Sequence, residues 1–336
     1  MSDARASGPV LVMGEAITDL VPDRNGHLHP HPGGAPANVA AGLARLGVHT
    51  AFAGALGNDE FSLAHEDRLA AVGVNLELSR RSTRPTALAV ASQTPNGTRY
   101  DFHLHDTATF RLAPLVEGLE RFQAVYVGGL AAIVPPAADA VAETACAAAD
   151  TTLLVVDPHV REDRTVDPAT GRSRLRDLCM LAHVVKASDE DVQKLWPESM
   201  PDDRCRRLAD DGRLVVLTRG MHGSTAFLPS GVQISVPAAP VTLVNTIGGG
   251  DAFMAGLLAG LVARTAVASR QSVDITAAQA RSLLEGGARA AALVCAQMGP
   301  GTSPRALGAN PSKNGPGDSW FAARTTQGED SLVEYL

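Results

Sequence analysis

The chain has 336 residues, of which 29 are basic and 36 acidic, and 45% are hydrophobic but only 4% aromatic. This length and apolar content allow one large core with a small appendage. Small apolar residues in place of aromatic ones favour helices packed on a sheet. Mild acidity without dense basic runs argues against a nucleic-acid partner, and no apolar stretch suggests a membrane span or a secretion signal. We therefore expect a cytoplasmic protein without a membrane partner.

Short apolar runs alternate with helical patterns along most of the chain. The first run, residues 10–13, precedes a helical pattern at 37–46 and a further strand at 50–56. Later strand-like runs are residues 124–127, 153–156, 184–185 and 214–217, and later helical patterns are 137–149, 189–195, 251–263 and 277–296. This alternation predicts an α/β fold with a doubly wound, mostly parallel sheet of the Rossmann type.

Two segments depart from that alternation. Residues 20–32 and 86–105 alternate apolar with polar side chains, and Pro95-Asn96-Gly97 is typical of a hairpin turn. We predict a small antiparallel β lid, from about residues 19–33 and 84–107, over a main domain of residues 9–308. Residues 309–336 lack periodicity and are expected to form a flexible or lightly docked tail. A homodimer through an exposed lid edge and a monomer both fit the sequence.

The strongest local motif, Asn-Thr-Ile-Gly-Gly-Gly-Asp-Ala-Phe at residues 245–253, joins a strand to a helix. Glycine amides approach a phosphate closely, and the helix N-terminus behind them adds positive potential. Asp251, in the first helical turn, is a candidate base for a hydroxyl aimed at that phosphate. The motif alone also fits a tight turn followed by an acidic first-turn residue.

A second glycine motif, Gly-Gly-Ala-Pro-Ala-Asn at residues 33–38, opens the first predicted helix. The amides of Gly33 and Gly34 can meet a polar ligand, and Asn38 can donate to and accept from sugar hydroxyls, although an Asn near a helix start is often a cap. Asp19 follows the first strand at the edge where open α/β sheets bind ligands.

The two glycine motifs together resemble the two signatures of the ribokinase-like (PfkB) carbohydrate kinase family. Residues 33–47 resemble the N-terminal signature, and residues 245–251 resemble the C-terminal signature Asp-Thr-x-Gly-Ala-Gly-Asp. Segments 14–19, 84–89, 157–161 and 186–191 resemble those of bacterial fructokinases. The resemblance implies a ribokinase-like fold and transfer of the γ-phosphate of ATP to a primary hydroxyl of a small sugar, with fructose expected first. It also implies Mg²⁺ bound through phosphates and water, and in many relatives a stimulating K⁺.

The resemblance also implies roles for individual residues. The catalytic positions are Asp251 as base and Gly248, Gly249 and Gly250 as anion hole. The acceptor-binding positions are Asp19, Gly33, Gly34, Asn38 and Arg161, with His103 on the lid as a further candidate contact. The nucleotide-binding positions are Lys186, Thr218, Gly220, Gly223 and Gly250, and Asp191 stands where relatives have a Glu linked indirectly to Mg²⁺.

Several positions depart from the family pattern. Asn245 replaces an Asp that helps to hold the monovalent cation, so the K⁺ requirement stays open. Gly249 replaces Ala, and His159 replaces the Asn usual in fructokinases. The acceptor therefore stays open among fructose, 2-keto-3-deoxygluconate, ribose, a nucleoside and a phosphosugar. A catalytically silent sugar or nucleotide sensor is the alternative from another class, whereas a nicotinamide enzyme would need a glycine in place of Phe253.

Overall fold

The structure, a computed structural model, describes residues 8–23, 25–94, 97–161, 166–244, 246–263 and 273–296. Asn245, the central residues of the predicted lid turn and the predicted tail, residues 309–336, lie outside these ranges. The described strands, in chain order, are β1 (Val10–Met13), β2 (Thr18–Pro22), β3 (Leu28–Pro32), β4 (Thr50–Ala53), β5 (Ala55–Leu56), β6 (Arg80–Arg81), β7 (Leu88–Thr94), β8 (Gly97–His103), β9 (Ala124–Gly128), β10 (Leu153–Asp157), β11 (Val184–Ser188), β12 (Leu214–Thr218), β13 (Ser224–Phe227) and β14 (Gln233–Val236).

The described α-helices lie mostly between these strands. They are α1 (Ala35–Arg45), α2 (Glu60–Ala70), α3 (Ala137–Thr151), α4 (Pro168–Leu181), α5 (Asp189–Leu195), α6 (Pro201–Asp210), α7 (Gly249–Ala263) and α8 (Ala277–Cys295). Asp59 fixes the start of α2, because its side chain accepts a hydrogen bond from the backbone of Ser62. Within the described residues, no helix combines the length and apolar character needed to cross a bilayer.

The main sheet has the strand order β14-β13-β12-β11-β10-β9-β1-β4. Its pairs from β12 to β4 are parallel, and β13 and β14 add antiparallel pairs at one edge. Apolar side chains project from both faces: in β1, Val10 and Val12 pack on the side of α1, α7 and α8, and Leu11 and Met13 on the side of α3 to α6. This arrangement confirms the predicted doubly wound α/β fold.

The strand order reverses beside β1, since β4 lies on one side of it and β9 on the other. Open α/β sheets bind ligands at the carboxyl ends of the strands flanking such a reversal. Glu15 follows β1, Gly129 follows β9, and Asp157 ends β10. These ends therefore mark the edge of the sheet where a site is expected.

The lid is a four-stranded sheet in the order β3-β2-β7-β8. It contains two antiparallel hairpins, the predicted one of β7 with β8 and a second one of β2 with β3. The hairpins meet through parallel pairing of β2 with β7, so the prediction of a wholly antiparallel lid was wrong at this pair. Parallel pairing is allowed because α1, β4 and α2 lie between these two strands and provide the long crossover that it needs.

Candidate active site

The predicted anion hole lies at the N-terminus of α7. Gly248 has φ 77°, a left-handed conformation suited to glycine, and α7 begins at the next residue. The amides of a first helical turn lack carbonyl partners within the helix, so they can bind an anion. Asp251 lies in this turn and is only 5% exposed. The structure thus brings Gly248, Gly249, Gly250 and Asp251 together.

Asn38 reaches Asp251 because α1 and α7 cross at very short range. A Cβ added to Gly42 would lie 2.7 Å from the Cβ of Ala255. Gly42 lies one turn after Asn38, and Ala255 one turn after Asp251, so each polar residue shares a helix face with its neighbour at the crossing. Asn38 Nδ2 donates to Asp251 Oδ2 at 2.8 Å, which makes Asn38 part of the site instead of a helix cap.

The two carboxylate oxygens of Asp251 have different surroundings. Oδ2 accepts the Asn38 bond, whereas Oδ1 is buried and has no hydrogen-bond partner among the described residues. His159 Nδ1 lies 3.6 Å from Oδ1. Burial raises the pKa of Asp251, and the bond from Asn38 and the charge of Lys186 oppose that rise. Oδ1 is therefore the oxygen available to accept a proton.

The Gly33–Gly34 pair lets the chain pass close to Asp19 and Glu15. A Cβ on Gly33 would lie 2.3 Å from Asp19 Oδ2, and one on Gly34, which has φ 92°, would lie 2.6 Å from the carbonyl oxygen of Glu15. Burial, followed by the nearby charge of Asp251, raises the pKa of Asp19 to about 7. Asp19 and Asp251 thus belong to one electrostatic cluster.

One row of side chains crosses the inner face of the lid. The strand register aligns His31, Asp19, Ala89 and Phe102, and residues paired across a sheet share a face. Tyr100 lies two residues before Phe102 on the same face, and their rings stack with centroids 6.2 Å apart. The charge of Asp19 contributes, after burial, to a raised pKa of Tyr100. Tyr100 and Phe102 therefore border the Asp19 side of the site.

His103 does not join that face of the lid. It is exposed, and because strand neighbours alternate, it projects from the face of β8 opposite Tyr100 and Phe102. This position argues against the predicted acceptor contact. Arg161 is also exposed, but its charge lowers the pKa of both Asp19 and Asp251, so it does border the site.

Lys186 is buried beside the anion hole. Its Nζ donates to Asp157 Oδ2 at 2.9 Å, and a Cβ on Gly250 would lie 3.6 Å from the same Nζ. Burial lowers the pKa of Lys186, but the charges of Asp157 and Asp191 outweigh it and hold that pKa above its usual value. A permanent positive charge therefore lies next to the first turn of α7.

Asp191 uses both oxygens within the protein. Oδ2 accepts from the backbone and hydroxyl of Ser188 in a capping box, and Oδ1 accepts from the Val160 amide at 2.8 Å. Asp191 thus fixes the start of α5 and the loop after β10. Its predicted indirect link to Mg²⁺ stays a prediction, as does the K⁺ role of Asn245, which lies outside the described residues.

The predicted nucleotide loop follows β12 at the same edge of the main sheet. Thr218 ends β12, and the single 3₁₀ turn Gly220–His222 follows it. Gly223 is needed for packing, since its Cβ would lie 2.2 Å from the carbonyl oxygen of Val236. Gly220, with φ 52°, has open space around its Cα. The loop is therefore rigid at Gly223 and accessible at Gly220.

Known proteins resemble this chain over most of its length. The profile of the pfkB family carbohydrate kinase matches residues 9–306. The chain belongs to the pfkB family of carbohydrate kinases. The fructokinase of Klebsiella pneumoniae is 35% identical over 272 residues, which cover 76% of this chain and 85% of the relative. The fructokinase of Escherichia coli is 31% identical over 266 residues, with 76% and 85% covered.

Solved structures of relatives share the fold of this pfkB family kinase. The fructokinase of Vibrio cholerae O395, in its fructose, ADP and calcium ion bound form, has a TM-score of 0.76 and 26% identity. The match covers 89% of this chain and 96% of that one. A double mutant of that enzyme with fructose, ADP and potassium ion bound has the same TM-score and identity.

Sequence reasoning missed three features around Asp251. They are Arg68 on α2, the lid ring Tyr100, and the pairing of Asp157 with the predicted nucleotide-binding residue Lys186. Arg68 carried a weak signal, since it neighbours Leu69 and lies three residues after His65 on the buried side of α2. A charged residue in phase with buried positions is unusual enough to be noticed once the helix itself is recognised.

Proposed function

We propose that this pfkB kinase is an ATP-dependent fructokinase that transfers the γ-phosphate of ATP to a primary hydroxyl of fructose. The observation that carries the proposal is Asp251 Oδ1 in the first turn of α7, which is buried and has no hydrogen-bond partner in the part of the chain that the structure describes. A base in this position lies next to the amides that would bind the transferring phosphate. The fructokinase names of its relatives support fructose as the acceptor.

The acceptor hydroxyl donates its hydrogen bond to Asp251 Oδ1 and loses its proton to that atom as it attacks phosphorus. Burial raises the pKa of Asp251, and the Asn38 bond and the charge of Lys186 oppose that rise and favour the ionised form. Asp19 accepts hydrogen bonds from other sugar hydroxyls, and the Tyr100–Phe102 face of the lid covers the sugar. Closure of this face excludes water that would otherwise hydrolyse ATP.

Negative charge on the transferring group is stabilised by the α7 N-terminus. The amides of Gly248 and Gly250 supply hydrogen bonds, and Lys186 supplies a positive charge beside Gly250. The amide of Gly249 already donates to the carbonyl oxygen of Thr246, at 3.2 Å. The Gly220 loop follows β12, the strand next to β11, which carries Lys186. From there it can contact the remainder of the nucleotide. Phosphate binding and proton removal therefore occur at one helix end.

The residues present fit a divalent ion held mainly by phosphate oxygens and water. Within the described residues, no three His, Cys, Asp or Glu side chains are grouped as a metal site. Asp157 Oδ1 is buried without a partner there, and it is the one oxygen of the Lys186 pair left for a hydrated ion. Mg²⁺ bound with ATP would neutralise charge on the phosphates. We also propose a K⁺ site at Asn245, which the ADP-release assay with and without K⁺ tests.

The test is acceptor-dependent ADP release from MgATP, with and without K⁺. Fructose is compared with 2-keto-3-deoxygluconate, ribose, adenosine and fructose phosphates. Asp251→Asn should reduce kcat by roughly 10²- to 10⁴-fold and leave ATP binding intact, whereas Asp150→Asn, at an exposed position on α3, should change nothing. Normal turnover by Asp251→Asn would refute the mechanism. A wild type that binds ATP but phosphorylates no acceptor would support a silent sensor.

Two further properties accompany this proposal. The lid ends in two edge strands, β3 and β8, and pairing of such edges between two copies would give a homodimer. Light scattering at assay concentration measures the mass, and a monomer would refute this assembly. A cytoplasmic location suits an enzyme that consumes ATP.

A further inference from the structure

Arg68 is a buried cation next to the candidate base, and among the described residues its hydrogen bonds go to an amide oxygen and a backbone carbonyl instead of a carboxylate. The side chain extends from α2 and the residue is only 2% exposed. Its Nη2 donates to Asn38 Oδ1 at 2.7 Å, and its Nη1 donates to the Pro32 carbonyl oxygen at 3.0 Å. Burial lowers the pKa of Arg68 to about 10, so the guanidinium stays charged at neutral pH. Burying such a charge is costly, and a fold retains it more readily where it has a use.

The bond from Arg68 determines which way the Asn38 amide points. A guanidinium only donates hydrogen bonds, so the atom of Asn38 that faces it must be the carbonyl Oδ1. The amide group of Asn38 must then face Asp251, where Nδ2 donates to Oδ2 at 2.8 Å. With the amide reversed, Asn38 Oδ1 would face the carboxylate of Asp251 and repel it. Arg68 thus favours the orientation in which Asn38 Nδ2 donates to Asp251 Oδ2, while Oδ1 has no hydrogen-bond partner among the described residues.

We propose that Arg68 is a positioning residue for phosphoryl transfer: acting through Asn38, it holds Asp251 so that Oδ1 faces the acceptor hydroxyl. The inference rests on the proposed role of Asp251 as base. Arg68 also fixes the end of lid strand β3, because it binds the carbonyl of Pro32, the last residue of that strand. One guanidinium therefore links the lid to the base.

His65 provides an independent contact from the same helix to the other strand of this hairpin. It lies three residues before Arg68, is 0% exposed, and its Nε2 is 3.1 Å from Thr18 Oγ1. Thr18 begins β2 and precedes Asp19. The buried side of α2 therefore holds both lid strands, β2 through His65 and β3 through Arg68. A helix that served only to cover the sheet would present apolar side chains at these positions.

The same contacts have an electrostatic effect that can be measured. Burial raises the pKa of Asp251, and both the Asn38 hydrogen bond and the charge of Arg68 lower it. Removing Arg68 removes its charge and releases the amide of Asn38. The pKa of Asp251 must then rise, so the acidic limb of the kcat–pH profile moves to higher pH. A loss of packing alone would lower kcat without moving that limb.

The experiment measures kcat and KM against pH for wild type, Arg68→Leu, Asn38→Ala and the double variant. Arg68→Leu should lose about 10²-fold in kcat, with the acidic limb displaced upward and KM for ATP nearly unchanged. The double variant should be no worse than the poorer single variant, because the two residues act in series. Arg45→Gln is the matched control: it removes a neighbouring half-buried charge that has no hydrogen bond to Asn38 among the described residues.

The outcomes separate the inference from the proposed function. The role of Arg68 is overturned if the wild type is active but Arg68→Leu keeps the same acidic limb of the kcat–pH profile. It is also overturned if the losses of kcat in Arg68→Leu and Asn38→Ala add in the double variant. In both cases the proposed kinase function still stands. An inactive wild type overturns the proposed function itself. If Arg68→Leu does not fold, Arg68→Lys replaces it in the cycle. Lysine keeps the charge but cannot bind Asn38 and Pro32 as a fork, so non-additive loss with Asn38→Ala is expected, and additive loss refutes the inference.

Discussion

The crossing of α1 and α7 determines whether the site is assembled, and Gly42→Ala tests this directly. The new Cβ would lie 2.7 Å from the Cβ of Ala255. Carbon atoms pack at about 3.5–4.0 Å, so the helices must separate locally by roughly 1 Å. The Asn38–Asp251 bond, now 2.8 Å, would then exceed hydrogen-bonding distance.

The expected cost appears in both stability and catalysis. Overpacking of this kind destabilises by about 1–3 kcal/mol, which lowers Tm by about 2 °C for each kcal/mol in a chain of this length. Displacing a catalytic group by about 1 Å costs roughly 10²-fold in turnover. Thermal unfolding and acceptor-dependent ADP release measure the two effects on one preparation.

A matched variant separates the crowding from other consequences of the substitution. In Gly42→Ala/Ala255→Gly the methyl group moves from one helix to the other, so the clash disappears and kcat should recover. Without a clash, alanine in place of glycine within a helix should stabilise by up to about 1 kcal/mol. A Gly42→Ala protein with a higher Tm and wild-type kcat would therefore refute the close-crossing argument.

Three further predictions concern other residues of the site, namely Asp19, Lys186 and His159. Below pH 7 the KM for fructose should rise, because Asp19, whose pKa is raised to about 7, loses its charge there; steady-state kinetics should show no such rise in Asp19→Asn. Lys186→Met should destabilise by about 3–5 kcal/mol in denaturant titrations, because it leaves Asp157 buried without its cation, and Asp157→Asn in the same chain should restore most of this. His159 has φ 42°, so His159→Asn should keep Tm and His159→Val should lower it, since asparagine tolerates this conformation and a β-branched residue does not.

The sequence predicted the central strands well because they are buried on both faces. Continuous apolar runs such as those of β1 and β10 have few alternative structures. The edge strand β14 was missed because it is short and partly exposed, and α6 because charged residues fill most of its surface. The parallel β2–β7 pair was also missed, since pairing between distant segments has no local signal.

Within the site, local motifs were predicted and long-range contacts were not. The glycines around α7 and α1 are recognisable because backbone geometry demands them within a few residues. Arg68 escaped because its partners Asn38 and Pro32 lie 30 and 36 residues away along the chain. His103 was predicted on the face of the lid towards the site but lies on the opposite face. Side chains alternate along a strand, so a shift of one residue decides which face a side chain occupies.

The surroundings of the buried carboxylates identify the one that can act as base. Both oxygens of Glu15 accept backbone N–H groups, at 3.2 and 2.9 Å, and both oxygens of Asp191 accept protein donors. Asp157 is paired with Lys186, and Asp19 lies on lid strand β2 instead of in the first turn of α7. Among these five carboxylates, Asp251 alone combines an oxygen that has no hydrogen-bond partner among the described residues with a place in the first turn of α7. A base must lie within hydrogen-bond reach of the hydroxyl that attacks phosphorus, and this helix end is where the proposed mechanism binds the phosphate, so the proposal assigns the base to Asp251.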